Sequence, residues 1–215
     1  MRWIFAGVFI AVAACGQQTQ DSSEVTLDSS VVKTQAAALT TALSSATKSD
    51  GEGVAAELAD IGNTAAALVP NARPASRSQT RGSSNTCTCS TASQKTCTWS
   101  ACKIGSATAS GTISWASGKL TCTNLTFDVA ASGEVGATHV AVTCAFTYGT
   151  ETLAGSLRAT GSTTVNNVNY TWDATLTATD VAWTEQAFTG GDVDVNATVT
   201  AGDETFHASG AVSFP

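Results

Sequence analysis

Histidine is scarce in this sequence, and the patterns that mark common reactive sites are missing. Only two histidines occur, His139 and His207, and both fall at predicted strand positions that face water. No G-x-S-x-G motif places a nucleophilic serine on a strand-to-helix turn, so a serine hydrolase has no support. No glycine-rich loop precedes a helix, so nucleotide binding has none either. The sequence therefore predicts no catalytic residue, no cofactor and no metal site.

Acidic residues are absent from a long central part of the chain. No Asp or Glu lies between Ile61 and Phe127, whereas the part after Phe127 has ten acids and a single base, Arg158. The whole chain has a formal net charge of −7. Because nucleic-acid phosphates are repelled by a protein of this charge, the sequence predicts no nucleic-acid partner.

The N-terminus lacks an apolar run long enough to span a bilayer. Arg2 precedes an apolar run of about 12 residues, Trp3 to Ala14, and a membrane-spanning helix needs about 20. Such a charge followed by a short apolar run is typical of an export signal. The run ends in Val12-Ala13-Ala14-Cys15, which resembles the lipobox of bacterial lipoproteins.

This resemblance, which covers about the first 16 residues, implies export, cleavage before Cys15 and acylation of that cysteine. Residues 1–14 are then a signal peptide and 15–30 a lipidated tether. Several acyl chains make such anchoring effectively permanent. In this family an Asp after the cysteine tends to mark retention in the inner membrane. Gly16 stands there, so we expect attachment to the outer membrane, on a side that the sequence does not specify. An ordinary secretory signal with an incidental cysteine is the alternative.

Two segments with helical spacing of apolar residues follow the tether. They predict an N-terminal α-helical hairpin over residues 31–69, closed by Pro70 and followed by a linker over 70–85. Each helix has a narrow, alanine-rich stripe suited to close packing against a neighbour. The first stripe is Val32, Ala36, Leu39, Leu43 and Ala46, and the second is Val54, Leu58, Ile61, Ala65 and Leu68.

Residues 86–215 have the pattern of an antiparallel β domain, because polar and apolar residues alternate between short turn sequences. Each two-residue turn fixes which residues face each other across a hairpin. The predicted turns are Ser117-Gly118, Gly149-Thr150, Asn166-Asn167 and Gly202-Asp203.

All four turns bring apolar residues opposite apolar ones, which a correct register requires. Interruptions of the alternation near residues 123–125 and 179–181 predict two β-bulges. The fold class is therefore mainly β: a bent antiparallel up-and-down meander of about seven to nine strands, either a half-barrel or a barrel. The predicted pairs include Ile113 with Cys122, Phe146 with Leu153, Leu157 with Leu176, Trp172 with Gly161, and Ala197 with Ala208.

The opposite face of the predicted sheet is polar and rich in threonine, as expected for a side that meets water. We interpret it as a solvated surface. Its members are Thr143, Ser156, Arg158, Thr171, Asp173, Thr175, Thr177, Asp194, Asn196, Thr198, His207 and Ser209.

Six cysteines remain besides Cys15, an even number that favours disulfides in an exported protein. Cys122 and Cys144 fall on the apolar face of adjoining strands, so we predict that they pair. The other four would then close among themselves. Cys87 with Cys102 and Cys89 with Cys97 would brace a small hairpin, but the spacing does not decide this connectivity. Zinc is disfavoured, because C-x-C and C-x₄-C depart from the usual C-x₂₋₄-C pairs.

Aromatic residues gather on the predicted apolar face. Most such residues form core, but they would line a ligand cavity if the curved sheet does not close tightly. This candidate apolar ligand face consists of Trp115, Phe146, Tyr170, Trp172, Trp183 and Phe206.

Three functions from different classes are compatible with these patterns. The favoured one is a non-enzymatic, lipid-anchored envelope lipoprotein with a structural or interaction role and a protein or envelope polymer as partner. The first alternative is a carrier of a lipid or another apolar ligand. The second is a cell-wall-directed enzyme, which would need paired carboxylates in a cleft, whereas the acids here fall mainly on turns and on the polar face.

Overall fold

The computed structural model describes residues 23–47, 96–104, 107–132, 135–149, 151–184 and 188–215. This part of the chain contains nine strands and one helix. In chain order they are β1 (Ser23–Thr26), α1 (Ser29–Thr47), β2 (Thr96–Ile104), β3 (Ala107–Ser114), β4 (Lys119–Val129), β5 (Thr138–Tyr148), β6 (Thr152–Val165), β7 (Val168–Trp183), β8 (Phe188–Ala201) and β9 (Glu204–Phe214).

All nine strands belong to one sheet, in the order β1-β9-β8-β7-β6-β5-β4-β3-β2. From β2 to β9 each strand pairs antiparallel with the next along the chain, which confirms the predicted up-and-down meander. The sheet is open rather than a closed barrel, because β1 and β2 are its two edges. The exception to the meander is β1, which pairs parallel to β9 and lies within the residues predicted as tether.

The predicted N-terminal helical hairpin is not found, since the described residues contain one helix, α1. The second predicted helix, over residues 54–68, lies outside the described residues. Asp28 caps the start of α1: its Oδ1 accepts a hydrogen bond from the Ser30 amide at 2.7 Å. Hydrogen bonds from Ser30 also hold the pKa of the Asp28 carboxyl below its usual range.

Three of the four predicted turns have the predicted register. Asn166 and Asn167 have φ values of 50° and 65°, the left-handed conformation that a type I′ turn requires. Ser117-Gly118 and Gly202-Asp203 likewise bring Ile113 opposite Cys122 and Ala197 opposite Ala208.

The turn predicted at Gly149-Thr150 is wrong by one residue. The Gly149 amide donates to the Thr152 carbonyl at 2.8 Å, so these two residues flank the turn. Phe146 therefore faces Gly155 rather than Leu153. Each residue of β5 therefore faces a β6 residue two positions further along the chain than predicted. Because side chains alternate with a period of two, every side chain stays on its predicted face of the sheet.

Both predicted bulges are confirmed, at Asn124 in β4 and at Asp180 in β7. Each bulge residue is left-handed, with φ of 49° and 48°. A glycine of a neighbouring strand lies against the carbonyl of each: Gly111 of β3 against Asn124, and Gly191 of β8 against Asp180. Two further register shifts were not predicted, between Trp99 and Cys102 and between Ala182 and Trp183. The shift between Leu153 and Gly155 is the bulge at Asp180 as it affects pairing with β6.

One face of the sheet is buried, as the alternation predicted. A row of facing residues runs across it from β2 to β8, and every member is at most 7% exposed. The row is Cys97, Ile113, Cys122, Cys144, Leu157, Leu176 and Val195.

Helix α1 packs on this face over β8 and β9, burying Val32, Ala36 and Leu39. The helix can approach closely because small residues lie beneath it, including Ala197 and Ala208. At Gly210 no side chain separates the sheet from the helix. The sheet thus has a covered apolar side and an open polar side.

We expect Gly210→Ala to loosen α1. The added Cβ would lie 2.8 Å from the Leu27 Cβ and 3.0 Å from the Val32 Cγ2, and overpacking of this kind costs about 1–3 kcal/mol. Amide hydrogen exchange should quicken in α1 and stay unchanged in β5 and β6. Ala211→Val is the control, because Ala211 is the next residue of β9 and its side chain is exposed. Equal protection of α1 in both variants would contradict the prediction.

Candidate functional site

The polar side of the sheet contains a groove with a volume of about 520 Å³. Strands in a sheet twist relative to one another, so even a solvated face has a concave direction. The groove lies over β6 to β9, the part of the sheet with the longest continuous strand pairing. Its lining is Arg158, Asp173, Thr175, Asn196, Ala197, Thr198, His207, Ala208 and Ser209.

The polar side chains of this groove form two parallel rows. One row runs from Asp173 through Thr198 to His207, with each residue facing the next across neighbouring strands. The other runs through Arg158, Thr175, Asn196 and Ser209 on β6, β7, β8 and β9. Because neighbouring strands are about 4.8 Å apart, the longer row extends about 14 Å.

Arg158 and Asp173 form a two-point ion pair at one end of the groove. Nε of Arg158 donates to Oδ1 of Asp173 at 2.9 Å, and Nη2 donates to Oδ2. The side chains are 60% and 43% exposed, so the pair adds little to stability. Its effect is to fix both side chains and cancel their charges. The hydrogen bond from Arg158 lowers the pKa of Asp173, and the same bond raises the pKa of Arg158.

Replacing Arg158 by glutamine should raise the pKa of Asp173 towards its ordinary value of 3.8. Because the pKa of Asp173 is lower in the folded state, the ion pair stabilises the protein when the pH is above the ordinary pKa. This stabilisation is lost as the pH falls through the folded-state pKa. Carboxyl NMR titration of Asp173 should show the upward shift in Arg158→Gln. Asp128, which does not contact Arg158, serves as the control carboxyl in the same spectra. An unchanged Asp173 midpoint would contradict the assigned cause.

The rest of the groove offers polar groups with free hydrogen-bonding capacity. Nδ1 of His207 lies 3.0 Å from Oγ1 of Thr198. In the described part of the chain, Thr175, Asn196 and Ser209 form no side-chain hydrogen bond. The groove therefore presents hydroxyl, amide and imidazole groups to solvent.

The other histidine lies outside the groove. Nδ1 of His139 contacts Oδ1 of Asp128 at 2.7 Å, and the two side chains are 50% and 57% exposed. Both histidines face water, as predicted. Among the described residues, no three His, Cys, Asp or Glu side chains come close enough together to hold a metal ion. The described helix is not both long and apolar enough to cross a membrane.

The predicted apolar ligand face is only partly exposed. Trp115, Phe146 and Trp172 are buried, whereas Tyr170, Trp183 and Phe206 are half-buried. Between α1 and the sheet, the space lined by Gln35, Leu157, Ala159, Ala174, Thr175, Leu176 and Val195 amounts to about 10 Å³. A cavity of this size holds about one water molecule.

Four buried polar atoms on this side have no hydrogen-bond partner within the described residues. They are the indole Nε1 atoms of Trp99, Trp115 and Trp172 and the Oε1 atom of Gln35. Most buried polar groups in proteins are hydrogen-bonded. In the described part of the chain, three donors and one acceptor on the apolar side are thus without a protein partner.

The predicted disulfide between Cys122 and Cys144 is confirmed, with an S–S distance of 2.04 Å. Cys97 and Cys102 are also disulfide-bonded. Their predicted partners Cys89 and Cys87 lie outside the described residues, as does the predicted lipidation site, Cys15. The pairing of these four cysteines stays a prediction.

The chain matches no protein-family model, no curated protein and no solved structure. The groove must therefore be interpreted from its own chemistry. All of its polar residues were predicted on the solvated face, but as a surface without a site. The turns at Asn166-Asn167 and Gly202-Asp203 set the register of β6 with β7 and of β8 with β9. No predicted turn joins β7 to β8, so the sequence did not indicate that the two rows continue across all four strands.

Proposed function

We propose that the protein is a non-enzymatic lipoprotein, held at the outer membrane by acylated Cys15, that presents the groove on β6–β9 to a partner in the cell envelope. The observation that carries this proposal is the location of open space. The groove on the polar side has about 520 Å³, whereas the gap between α1 and the sheet has about 10 Å³. Polar contacts with a partner therefore have more support than a ligand held beneath α1.

The disulfides and the N-terminal sequence support the same proposal. Cys122–Cys144, together with the bonded Cys97 and Cys102, suits an oxidising compartment outside the cytoplasm. The tether would leave only seven residues between Cys15 and Ser23 of β1. An extended chain from Cys15 to Ser23 spans at most about 29 Å. The sheet would then be displayed close to the membrane surface.

The anchor is tested by expressing the full chain and its Cys15→Ser variant in bacteria fed an alkyne fatty acid. We expect label and outer-membrane fractionation for the native sequence, and neither for the variant. An internal control is Cys122→Ser, which removes a cysteine of the folded sheet and should keep the label. Label retained in Cys15→Ser, or absent from the native sequence, would refute the lipid anchor.

The interaction role is tested by sedimenting the purified full chain with insoluble envelope polymer. We expect co-sedimentation that is reduced in Asn196→Ala and His207→Ala, whose side chains line the groove. Thr143→Ala is the matched control, because Thr143 is exposed on the same polar face but outside the groove. Equal sedimentation of all three variants would place the contact elsewhere.

A second candidate, a carrier of an apolar ligand, is favoured by the four buried polar atoms that have no partner among the described residues. A lipid with ester or carboxyl oxygens could accept hydrogen bonds from the indole groups of Trp99, Trp115 and Trp172. Native mass spectrometry should then detect a co-purified ligand. Trp172→Phe, which removes one donor but keeps a ring, should weaken its retention. A single protein mass without adduct would count against a carrier.

A further inference from the structure

We propose that the groove on β6–β9 binds a neutral, hydroxyl-rich saccharide. This inference names the partner class for the interaction role proposed above and rests on that role, but it does not depend on lipidation of Cys15. It follows from three properties of the groove: the kind of hydrogen-bonding groups, the balance of charge and the arrangement of the two rows.

The hydrogen-bonding groups match hydroxyl groups on a ligand. The hydroxyls of Thr175, Thr198 and Ser209 each donate and accept, and the Asn196 amide offers two donors and an acceptor. His207 adds a ring nitrogen at the end of one row. A sugar hydroxyl also donates and accepts, so it can satisfy either kind of group. Fixed acceptors such as phosphate oxygens could satisfy only the donors.

The charges in the groove do not favour an ion. The cation, Arg158, and the acid, Asp173, are bonded to each other at two points. The whole chain has 17 acidic and 10 basic side chains and a formal net charge of −7. A polyanion approaching this surface is repelled, and within the groove no uncompensated carboxylate attracts a cation. An uncharged ligand has neither penalty.

The shape of the groove suits an oligosaccharide. Two rows of polar groups about 14 Å long can contact successive sugar units along both edges of an extended chain. The volume of about 520 Å³ lies within the usual range of about 300–1,000 Å³ for ligand sites. No Phe, Tyr or Trp lines the groove, so flat apolar or aromatic ligands find no ring to stack on. Recognition should therefore depend on hydroxyl edges.

The test is an NMR titration of the ¹⁵N-labelled full chain with two uncharged probes, N-acetylchitohexaose and cellohexaose. A polygalacturonate hexamer serves as the anionic comparison. We expect at least one neutral probe to shift amide signals of β6–β9 around the groove, with a dissociation constant between about 10 µM and 1 mM. The anionic hexamer should bind at least tenfold more weakly.

Variants then locate the contact. Asn196→Ala and His207→Ala should each weaken binding at least fivefold, while Thr143→Ala on β5 should leave it unchanged. All three positions are exposed, so the variants are expected to fold, and unperturbed signals of β2 and β3 report on this directly.

Three results would overturn the saccharide assignment: no shift with either neutral probe at about 10 mM, tighter binding of the anionic hexamer, or equal affinity in all three variants. If neither sugar binds while groove variants still lose sedimentation with the envelope polymer, the groove contacts a part of the polymer other than a neutral saccharide chain, and the interaction role survives. If sugars bind while Cys15→Ser keeps its label, only the anchor fails.

Discussion

Replacing Gly111 by alanine is expected to lower the free energy of unfolding by about 3–5 kcal/mol. Gly111 has a φ of 119°, which L-residues rarely adopt, and its added Cβ would overlap the backbone carbonyl of Asn124. Backbone on both sides of the contact is held by strand pairing between β3 and β4. The overlap can therefore be relieved only by moving a strand, whereas an overlap with a flexible side chain could be relieved by rotating that side chain. Denaturant unfolding followed by tryptophan fluorescence measures the loss.

The second bulge provides an independent repeat of this experiment. Gly191, with a φ of 87°, lies against the carbonyl of Asp180 in the same way, so Gly191→Ala should cost a similar amount. Gly202→Asn is the matched control. Gly202 also has a positive φ, 59°, but no atom lies within 4 Å of the position that an added Cβ would take, and asparagine tolerates this conformation. A control as destabilising as the other two would show that overlap at the bulges is not the cause.

Removing the disulfide between Cys122 and Cys144 should cost about 3 kcal/mol. The two cysteines are 22 residues apart, and closing a loop of that length restricts the unfolded chain by about this amount. Both side chains also belong to the buried row across the sheet, at 5% and 7% exposed. The double variant Cys122→Ala/Cys144→Ala avoids leaving a free thiol. Thermal and urea unfolding under non-reducing conditions measure the effect.

Thr121→Ala is the control for this prediction, because Thr121 neighbours Cys122 on β4 and points to the polar side. Its cost should stay within about 0.5 kcal/mol, as is usual for surface changes. A loss below about 1 kcal/mol in the double cysteine variant would contradict the chain-entropy account.

Much of the sheet could be predicted from the sequence because local turn chemistry set the register. At Asn166-Asn167 both turn residues tolerate a positive φ, whereas the flanking Val165 and Val168 do not, so one register was favoured. Gly149-Thr150 was ambiguous, because moving the turn by one residue changes every partner by two and preserves all faces. A period of two cannot distinguish these registers, so Phe146 was assigned the wrong neighbour but the right side.

Other features could not be predicted because they depend on distant parts of the chain. Strand β1 has only four residues and becomes a strand by pairing with β9. The groove on the polar side could not be predicted for the same reason. Its residues were assigned to one face from alternation, but the concavity comes from the twist accumulated over four strands, which no single segment encodes.

The parallel pairing of β1 with β9 also orders the events of synthesis. Strands β2 to β9 pair with immediate neighbours along the chain, so each hairpin can form as soon as its second strand has been made, and such local pairing is fast. The first strand has to wait for the last one. Helix α1 also packs on β8 and β9, so β1 and α1 are without their docking surface until translation is nearly complete. A protein truncated before β9 could form every earlier hairpin but would lack the strand that pairs with β1.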